Sequence, residues 1–277
     1  MKLSIITINL NNATGLQKTI ESVVSQTFDD YEYIVIDGGS TDGSVDVIKQ
    51  YADKITYWVS EPDRGVYHAM NKGIAQAKGE YCLFLNSGDW ILQNDGLQYV
   101  FDKNPVEDII YCDAQHGDII RNYADRLTLL TFFESSITHQ ATFIKKSLFS
   151  TFGLYNETYK IVSDWEFFLK TAVYGQCSHK HISFLFVYFD INGISYKNFT
   201  EVENERAKVI EKNFPVIYDV YMQFRPLQLL QDKMDYLNAA FTEMHYYRGS
   251  RLIQLIKKMQ LSYFYQRIRG FYLKLKV

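Results

Sequence analysis

Cysteine is scarce in this sequence of 277 residues, and long apolar runs are missing. Cys82, Cys112 and Cys177 lie far apart, without the paired spacing of a zinc site or a disulfide framework. Isolated thiols fit a reducing cytoplasm best. No run of about 18 or more apolar residues occurs, so we expect no membrane-spanning helix. The first apolar run reaches Asn9 too early for a secretory signal and predicts a strand instead.

Two glycine-rich phosphate signatures are also missing. A dinucleotide-binding fold would show G-x-G-x-x-G after the first strand, where residues 11–15 read Asn-Asn-Ala-Thr-Gly. A P-loop would show Gly-Lys followed by Ser or Thr, and that combination occurs nowhere in the sequence. Nicotinamide chemistry and P-loop chemistry are therefore disfavoured.

The bulk composition is that of a folded globular protein, with 47% hydrophobic residues and a formal net charge of −3. A chain of this length can bury one large core, or a domain plus an appendage. The weak net charge by itself gives no reason to expect a nucleic-acid partner.

Short apolar runs alternate with helical patterns over roughly the first 115 residues, which predicts an α/β fold with a mostly parallel sheet covered by helices. The predicted strands are residues 3–8, 33–36, 57–59, 81–85 and 109–112, and the predicted helices include about 15–25 and 65–77. An apolar stretch at 141–144, a helix at about 164–173 and a strand near 184–189 extend the same domain. From about residue 200, helical patterns interrupted at Pro215 and Pro226 predict a helical extension.

Polar clusters follow the predicted strands at residues 9–12, 37–42, 60–64 and 86–89. The carboxyl ends of parallel strands meet at one edge of a sheet, where ligands collect. An edge rich in carboxylates and glycines can bind a nucleotide whose phosphates are neutralised by a metal, with Arg64 as a further phosphate partner.

Four motifs occur in a fixed order: residues 3–7 (Leu-Ser-Ile-Ile-Thr), 36–44 (Ile-Asp-Gly-Gly-Ser-Thr-Asp-Gly-Ser), 61–65 (Glu-Pro-Asp-Arg-Gly) and 85–89 (Leu-Asn-Ser-Gly-Asp). This order strongly resembles the family 2 glycosyltransferases of the GT-A fold, including those that build bacterial exopolysaccharide, capsule or O-antigen. The resemblance implies a Rossmann-like, mostly parallel mixed sheet flanked by helices. It implies a catalytic domain at residues 1–200, with a nucleotide-sugar half at about 1–115 and an acceptor half at about 116–200, followed by a helical C-terminal extension at 201–277.

The resemblance also implies which residues bind the donor. Asp37 would accept a hydrogen bond from the nucleotide base, and Asp63 and Arg64 would lie beside the nucleotide and its diphosphate. The structural alternatives are an Asx-turn at Asp37 and a solvated charged turn at Asp63 and Arg64. The full set of implied donor contacts is Thr7, Asn9, Asp37, Asp63, Arg64, Asn86 and Ser87.

The acidic D-x-D metal motif of the family is reduced here. Asn86 and Gly88 occupy its earlier positions, which leaves Asp89 as the implied ligand for Mg²⁺ or Mn²⁺. One carboxylate can suffice, because Mg²⁺ commonly uses one or two protein carboxylates together with substrate phosphates. The alternative is a chain that has lost catalysis.

An inverting transfer needs a base, and Asp164 is the candidate. Residues 162–169 resemble the family's E-D-x-x-L/F segment, with Ser163 in place of the first acid. Ser163 or Asp164 would otherwise simply cap a helix. The resemblance also implies acceptor or donor contacts for His139, Gln140, Trp90 and Trp165, and the alternative for these residues is a structural position in the core. Asn71 and Lys72 lie opposite the apolar face of their predicted helix, which favours solvated positions.

The last segment, residues 248–277, carries eight Lys or Arg residues and no acid. Its apolar residues recur on one helical face, so it suits an anionic membrane surface. Packing on the catalytic domain and a homodimer contact remain alternatives, whereas nucleic acid is disfavoured. These features predict a cytoplasmic enzyme. It would be peripheral on the inner face of the cell membrane if the tail binds lipid.

Together these features predict a metal-dependent inverting glycosyltransferase. Its donor would be a nucleotide-diphosphate sugar, with UDP as the preferred carrier, and its acceptor a glycan or lipid-linked glycan in cell-surface polysaccharide biosynthesis. A sugar-phosphate nucleotidyltransferase would need a glycine-rich N-terminal signature, which is missing. A non-catalytic membrane-surface or scaffold protein that retains a nucleotide-sugar-binding fold is the other alternative.

Overall fold

The computed structural model describes residues 1–193, 198–227 and Met234. Within these residues nine strands form one mixed sheet, in the order β3-β2-β1-β4-β8-β6-β9-β5 with β7 paired to β6. The strands are β1 (Leu3–Asn9), β2 (Tyr31–Asp37), β3 (Tyr57–Ser60), β4 (Tyr81–Phe84), β5 (Trp90–Ile91), β6 (Ile109–His116), β7 (Ile119–Arg121), β8 (Thr142–Lys145) and β9 (His179–Phe189).

Helices cover the sheet and connect its strands. They are α1 (Ala13–Val24), α2 (Ser44–Gln50), α3 (Val66–Gln76), α4 (Gly96–Phe101), α5 (Leu129–Glu134), α6 (Ser147–Phe152), α7 (Ser163–Phe168) and α8 (Phe199–Asn213). Short 3-10 turns lie at His139–Ala141 and Pro215–Ile217, and α7 continues into a π-helix at Leu169–Tyr174. The helix predicted at about 164–173 is therefore two helical segments of different winding.

The first four strands follow the predicted βα alternation, and β1, β2 and β4 are runs of residues buried on both faces, whereas β3 is partly exposed. All seven residues of β1 are buried. β1 pairs in parallel with β2 on one side and with β4 on the other, and this register places Asn9 opposite Asp37. The polar residues that end these strands are thereby brought to one edge of the sheet.

Beyond β4 the sheet changes direction. β8 is antiparallel to both β4 and β6, whereas β9 is parallel to β6. The short strands β5 and β7 were not predicted from the sequence, since two or three residues give too little periodicity. β5 pairs with β9, so the segment after β4 is tied to the last strand of the sheet.

The boundary near residue 200 between the catalytic domain and its C-terminal extension stays a prediction. Contacts divide the chain into two units, residues 1–222 and residues 223–277. α8, which was predicted to begin the extension, belongs to the first unit, and residues 218–227, including Pro226, are helical. No helix of the described residues is both long and apolar enough to cross a bilayer. The basic segment 248–277 lies outside the described residues, so its docking on a membrane or a second copy stays a prediction.

Glu205 anchors α8 to the loop before α7. Its buried carboxylate accepts hydrogen bonds from the backbone N–H groups of Lys160, Ile161 and Val162, at 2.8 to 3.3 Å. We expect Glu205→Ala to lower the free energy of unfolding by about 1–3 kcal/mol, because buried amide donors would lose their partner. Urea unfolding measures the change, and Glu201→Ala, at an exposed position of α8, is the matched control. Equal stability of the two variants would contradict this anchoring role.

Candidate active site

The candidate site lies at the carboxyl edge of β1, β2 and β4. Asp37 ends β2 and is fully buried, and its carboxylate accepts hydrogen bonds from Asn9 Nδ2 (2.7 Å), Ser40 Oγ (2.6 Å) and Ser60 Oγ (2.6 Å). The backbone N–H groups of Gly39 and Ser40 donate two more. Burial alone would raise the pKa of Asp37, but the hydrogen bonds from Ser40, Ser60 and Asn9 outweigh it and hold the pKa below its usual range. Asp37 is therefore an anionic anchor for the loop that follows β2.

Asn9 presents an acceptor beside this anchor. Its side chain is 4% exposed, its Nδ2 group binds Asp37 and Ser40, and its Oδ1 atom has no hydrogen-bond partner in the described part of the chain. A buried polar atom usually has a partner. Thr7 lies deeper, fully buried, with Oγ1 3.0 Å from the Tyr33 hydroxyl. Thr7 thus supports the sheet below the edge and is not at its surface.

Asp63 lies next to the loop after β2. Its Oδ1 accepts the N–H of Gly65 at 2.9 Å just before α3, and its Oδ2 is so close to Gly38 that a Cβ there would come within 2.5 Å of it. Arg64 is exposed and pairs with Glu157, with 2.7 Å between Nη2 and Oε2. Asp63 therefore adjoins the Asp37 loop, whereas Arg64 would have to leave Glu157 to reach a diphosphate.

The loop after β4 carries the remaining donor-side residues. Ser87 donates its backbone N–H to Ile8 and accepts from Asn12 Nδ2, which ties the loop to the end of β1. Gly88 has φ +105°, and a Cβ on it would meet Asp190 Oδ2 at 3.1 Å and Asn12 Nδ2 at 3.3 Å. Both the backbone conformation and the close neighbours disfavour any larger residue, including the acid of a D-x-D motif, at this position.

Asp89 is buried, with 4% of its surface exposed. Its Oδ2 accepts from Gln140 Nε2 and its Oδ1 from the backbone N–H of Asp190, both at 2.8 Å. Burial raises the pKa of Asp89 to about 7. The carboxylate therefore joins the β4 loop to the end of β9 and to the 3-10 turn that contains Gln140.

Asp89 is the one acid of the reduced motif, since Gly88 leaves no second acid there. Each of its oxygens accepts one hydrogen bond from the protein and keeps a further lone pair, so Asp89 would hold a divalent cation together with donor phosphates and water. No group of three or more His, Cys, Asp or Glu side chains that could hold a cation occurs among the residues that the structure describes. The assignment of Asp89 as a ligand for Mg²⁺ or Mn²⁺ stays a prediction.

Asp164, the candidate base, lies in the first turn of α7 and is part of a hydrogen-bonded cluster. His139 Nδ1 is 2.8 Å from its Oδ2, and the Tyr67 hydroxyl is 2.8 Å from its Oδ1. His139 Nε2 is in turn 3.2 Å from Asn86 Nδ2, in the loop after β4. The structure thus joins the predicted acceptor-side residues to the predicted donor side. The side chains of His139 and Asp164 are 13% and 17% exposed, so the cluster is partly accessible from the surface.

The two tryptophans differ in their surroundings. Trp165 is 2% exposed, and its Nε1 donates to the Phe132 carbonyl, so its ring belongs to the core and is not presented to a sugar. Trp90 is half-buried and stacks on Tyr188 with ring centroids 3.8 Å apart. Gln140 is 2% exposed and contacts Asp89, which makes it a supporting residue of the loop.

Three residues of this region were not predicted as parts of it. Tyr67 contacts Asp164 directly, and Glu157 pairs with Arg64. Asn71, expected to be solvated, is buried and bonds to the Tyr155 backbone and to Glu157. Helical periodicity carries no signal for these contacts, because the loop that covers Asn71 comes from residues more than 80 positions later.

Comparisons with known proteins agree with this fold. The family model described as glycosyl transferase family 2 matches residues 4–157. A PGL/p-HBAD biosynthesis glycosyltransferase of Mycobacterium tuberculosis is 34% identical over 180 residues, which cover 59% of this chain and 67% of the relative. An uncharacterized glycosyltransferase of the same species is 34% identical over 207 residues, which cover 69% of this chain and 76% of the relative.

Solved structures show the same architecture. Staphylococcus aureus TarS 1–349 in complex with UDP-GlcNAc has a TM-score of 0.62 at 20% identity, covering 83% of this chain and 72% of that one. Another TarS 1–349 structure is matched over 65% of its length. The mannosyltransferase PcManGT of Pyrobaculum calidifontis, in complex with GDP-Man and Mn²⁺, has a TM-score of 0.62 at 15% identity, covering 98% of this chain and 82% of that one.

The predicted α/β architecture is confirmed as a GT-A fold, with the mixed sheet flanked by helices. The family model spans more than half of the sequence, and two relatives named glycosyltransferases share a third of their aligned residues with it. This chain therefore belongs to glycosyl transferase family 2.

Proposed function

We propose that this chain is an inverting glycosyltransferase that moves a sugar from a UDP-sugar to a glycan or lipid-linked glycan acceptor in cell-surface polysaccharide biosynthesis. The observation that carries the proposal is the position of Asp164. Its carboxylate is anchored by His139 and Tyr67 and is linked through Asn86 to the edge that carries Asp37. A general base next to a nucleotide edge is what an inverting sugar transfer requires.

In the proposed reaction Asp164 accepts the proton of the acceptor hydroxyl as its oxygen attacks the anomeric carbon. A C–O bond forms there while the bond from that carbon to the nucleotide diphosphate breaks on the opposite face. The fixed loop around Asp37, together with Asn9, would orient the nucleotide, and Asp63 would lie beside it. Arg64 would exchange Glu157 for the departing diphosphate, since a guanidinium binds phosphate oxygens well.

UDP is the proposed carrier because a structural neighbour, TarS, binds UDP-GlcNAc, although another, PcManGT, binds GDP-Man. A divalent cation held by Asp89 and the donor phosphates would stabilise the charge of the departing diphosphate. Metal dependence through Mg²⁺ or Mn²⁺ is a separate prediction, supported by the Mn²⁺ in the PcManGT structure.

The donor class can be tested by thermal unfolding of the full chain with UDP, GDP, CMP and TDP, each with and without Mn²⁺. We expect UDP to stabilise the protein most. A ligand present at a hundredfold excess over its Kd contributes about 2.7 kcal/mol to the free energy of unfolding. A larger effect of Mn²⁺ together with UDP than of either alone would support metal dependence.

Stabilisation by GDP and not by UDP would replace the proposed carrier. If none of the four nucleotides changed the unfolding temperature under either metal condition, the proposed donor site would be wrong and a scaffold would be the better interpretation.

A further inference from the structure

Two side chains from distant parts of the sequence converge on the Asp164 carboxylate. His139 lies in the 3-10 turn before β8, and Tyr67 lies in the first turn of α3. Each binds a different oxygen at 2.8 Å, His139 through Nδ1 and Tyr67 through its hydroxyl. The orientation of the carboxylate is therefore restrained from two sides, which α7 alone could not do.

The hydrogen-bond partners of His139 define the position of its proton. Asn86 Nδ2 is a donor, so the His139 nitrogen facing it at 3.2 Å, Nε2, must present its lone pair. Nδ1 then carries a proton and donates a hydrogen bond to Asp164. The hydrogen bonds run in one direction, from Asn86 through His139 to the carboxylate.

Tyr67 is placed to remain a donor. It is 4% exposed, and burial together with the charge of Asp164 raises the pKa of its hydroxyl well above the usual value. The hydroxyl also contacts the Ile161 carbonyl, at the loop that leads into α7. Its single hydroxyl proton is shared between these two acceptors, so Tyr67 lies between the carboxylate and the backbone that precedes it.

We infer that His139 and Tyr67 are positioning residues for Asp164, and that His139 links this base to the donor-side loop through Asn86. The inference rests on the proposed function, because Asp164 is the base in that reaction. It gives His139 a role different from the phosphate or sugar contact predicted from the sequence. It also gives Tyr67 a role that no sequence motif indicates.

The electrostatics of the cluster yield a measurable consequence. The titratable side chains facing Asp164 are His139, Tyr67 and Tyr155. Burial alone would raise the pKa of Asp164, but the bonds from His139 and Tyr67 outweigh it and hold the pKa below its usual range. Removing either donor should raise this pKa. Because the base must be ionised to act, the acidic limb of the pH–rate profile should move to higher pH with it.

The test follows the Asp164 carboxyl carbon by NMR in full-length protein labelled with ¹³C at aspartate carboxyl groups, with Asp164→Asn to assign the signal. His139→Ala and Tyr67→Phe should each move its titration midpoint upward, on the order of one pH unit. His139→Asn keeps an N–H near the place of Nδ1 and should restore most of the shift. Tyr51→Phe is the matched control, since it removes another tyrosine–carboxylate bond, to Glu21, on the exposed surface.

The same variants are then assayed for UDP release from UDP-glucose, UDP-galactose and UDP-GlcNAc, with water as the acceptor. The acidic limb should move in parallel with the carboxyl titration. An unchanged titration in both variants would overturn the inference, as would a titration that moves while the limb does not, because the two side chains would then be structural only. If the unaltered protein neither bound a nucleotide nor released UDP, the proposed function would be wrong. The carboxyl titration does not depend on turnover, so it distinguishes a failure of the positioning role from a failure of the proposed function.

Discussion

Replacing Asp164 with Asn is expected to slow sugar transfer by about 100- to 10,000-fold, the usual contribution of a general base. Asn has nearly the same shape and keeps one oxygen for a hydrogen bond, but it cannot take the proton of the acceptor hydroxyl. The predicted nucleotide contacts lie elsewhere, so the Kd for UDP should change less than about twofold. UDP release measures the rate, and calorimetric titration with UDP measures the affinity.

The control for this experiment is Asp53→Asn, which removes an exposed carboxylate far from the cluster and should leave both quantities unchanged. If Asp164→Asn retained the rate of the unaltered protein, the base would have to be another group. If Asp164→Asn lost both the reaction rate and the affinity for UDP, the variant would have disturbed the whole edge of the sheet. The free energies of unfolding of the Tyr67 and His139 variants would then have to be measured before their rates are interpreted.

The second large effect is expected at Asp37. Asp37→Asn replaces an acceptor-only group with one that also donates, opposite Asn9, Ser40 and Ser60, which all donate to the carboxylate. We expect the free energy of unfolding to fall by about 3 kcal/mol or more, because a buried network would lose a charged centre. Affinity for UDP should fall at least tenfold, about 1.4 kcal/mol, since the loop after β2 that is predicted to contact the nucleotide base would no longer be held.

The pH dependence of this variant provides a further check. The pKa of Asp37 is lower in the folded than in the unfolded protein, so its contribution to stability is present above the unfolded pKa, about 3.9, and is lost as pH falls through the folded pKa. Asp37→Asn should therefore lose more stability at pH 7 than at pH 3. Urea unfolding at the two pH values measures the difference.

Asp42→Asn is the matched control in the same loop. Asp42 is exposed, and its carboxylate accepts hydrogen bonds from Ala13 N and from Ser44. Its loss should cost about 1 kcal/mol, as for an ordinary helix cap, with little effect on UDP. Equal effects of the two variants would show that burial of Asp37 does not matter.

Much of the first half of the fold was predictable because its signals are local. Continuous apolar runs mark strands buried on both faces, and Asp, Asn and Gly directly after them mark the edge where parallel strands end. The register that sets Asn9 against Asp37 follows from this pattern. The later half was less predictable, because β8 and β6 pair antiparallel across long connections and β5 and β7 are too short to show a period.

The contacts of single side chains were the least predictable. Trp165 and Asp164 are neighbours in the sequence, yet the ring is in the core while the side chain of Asp164 is partly exposed. Asn71 is on the polar face of α3 and is nevertheless buried by the loop at Tyr155. Asp89 ends the reduced metal motif, and its oxygens accept hydrogen bonds from Gln140 and from the backbone of Asp190, contacts that the sequence does not indicate.

The sequence by itself determined the family, the α/β class and the sheet edge at which the polar motifs meet, because these depend on short patterns and on their order along the chain. Only the tertiary structure decided which groups touch Asp164. Tyr67, His139 and Asp164 span almost 100 positions, and their distances depend on how α3, the turn before β8 and α7 pack together. Hydrogen bonds require partners within about 3 Å, and no local pattern in a sequence encodes a separation of that precision.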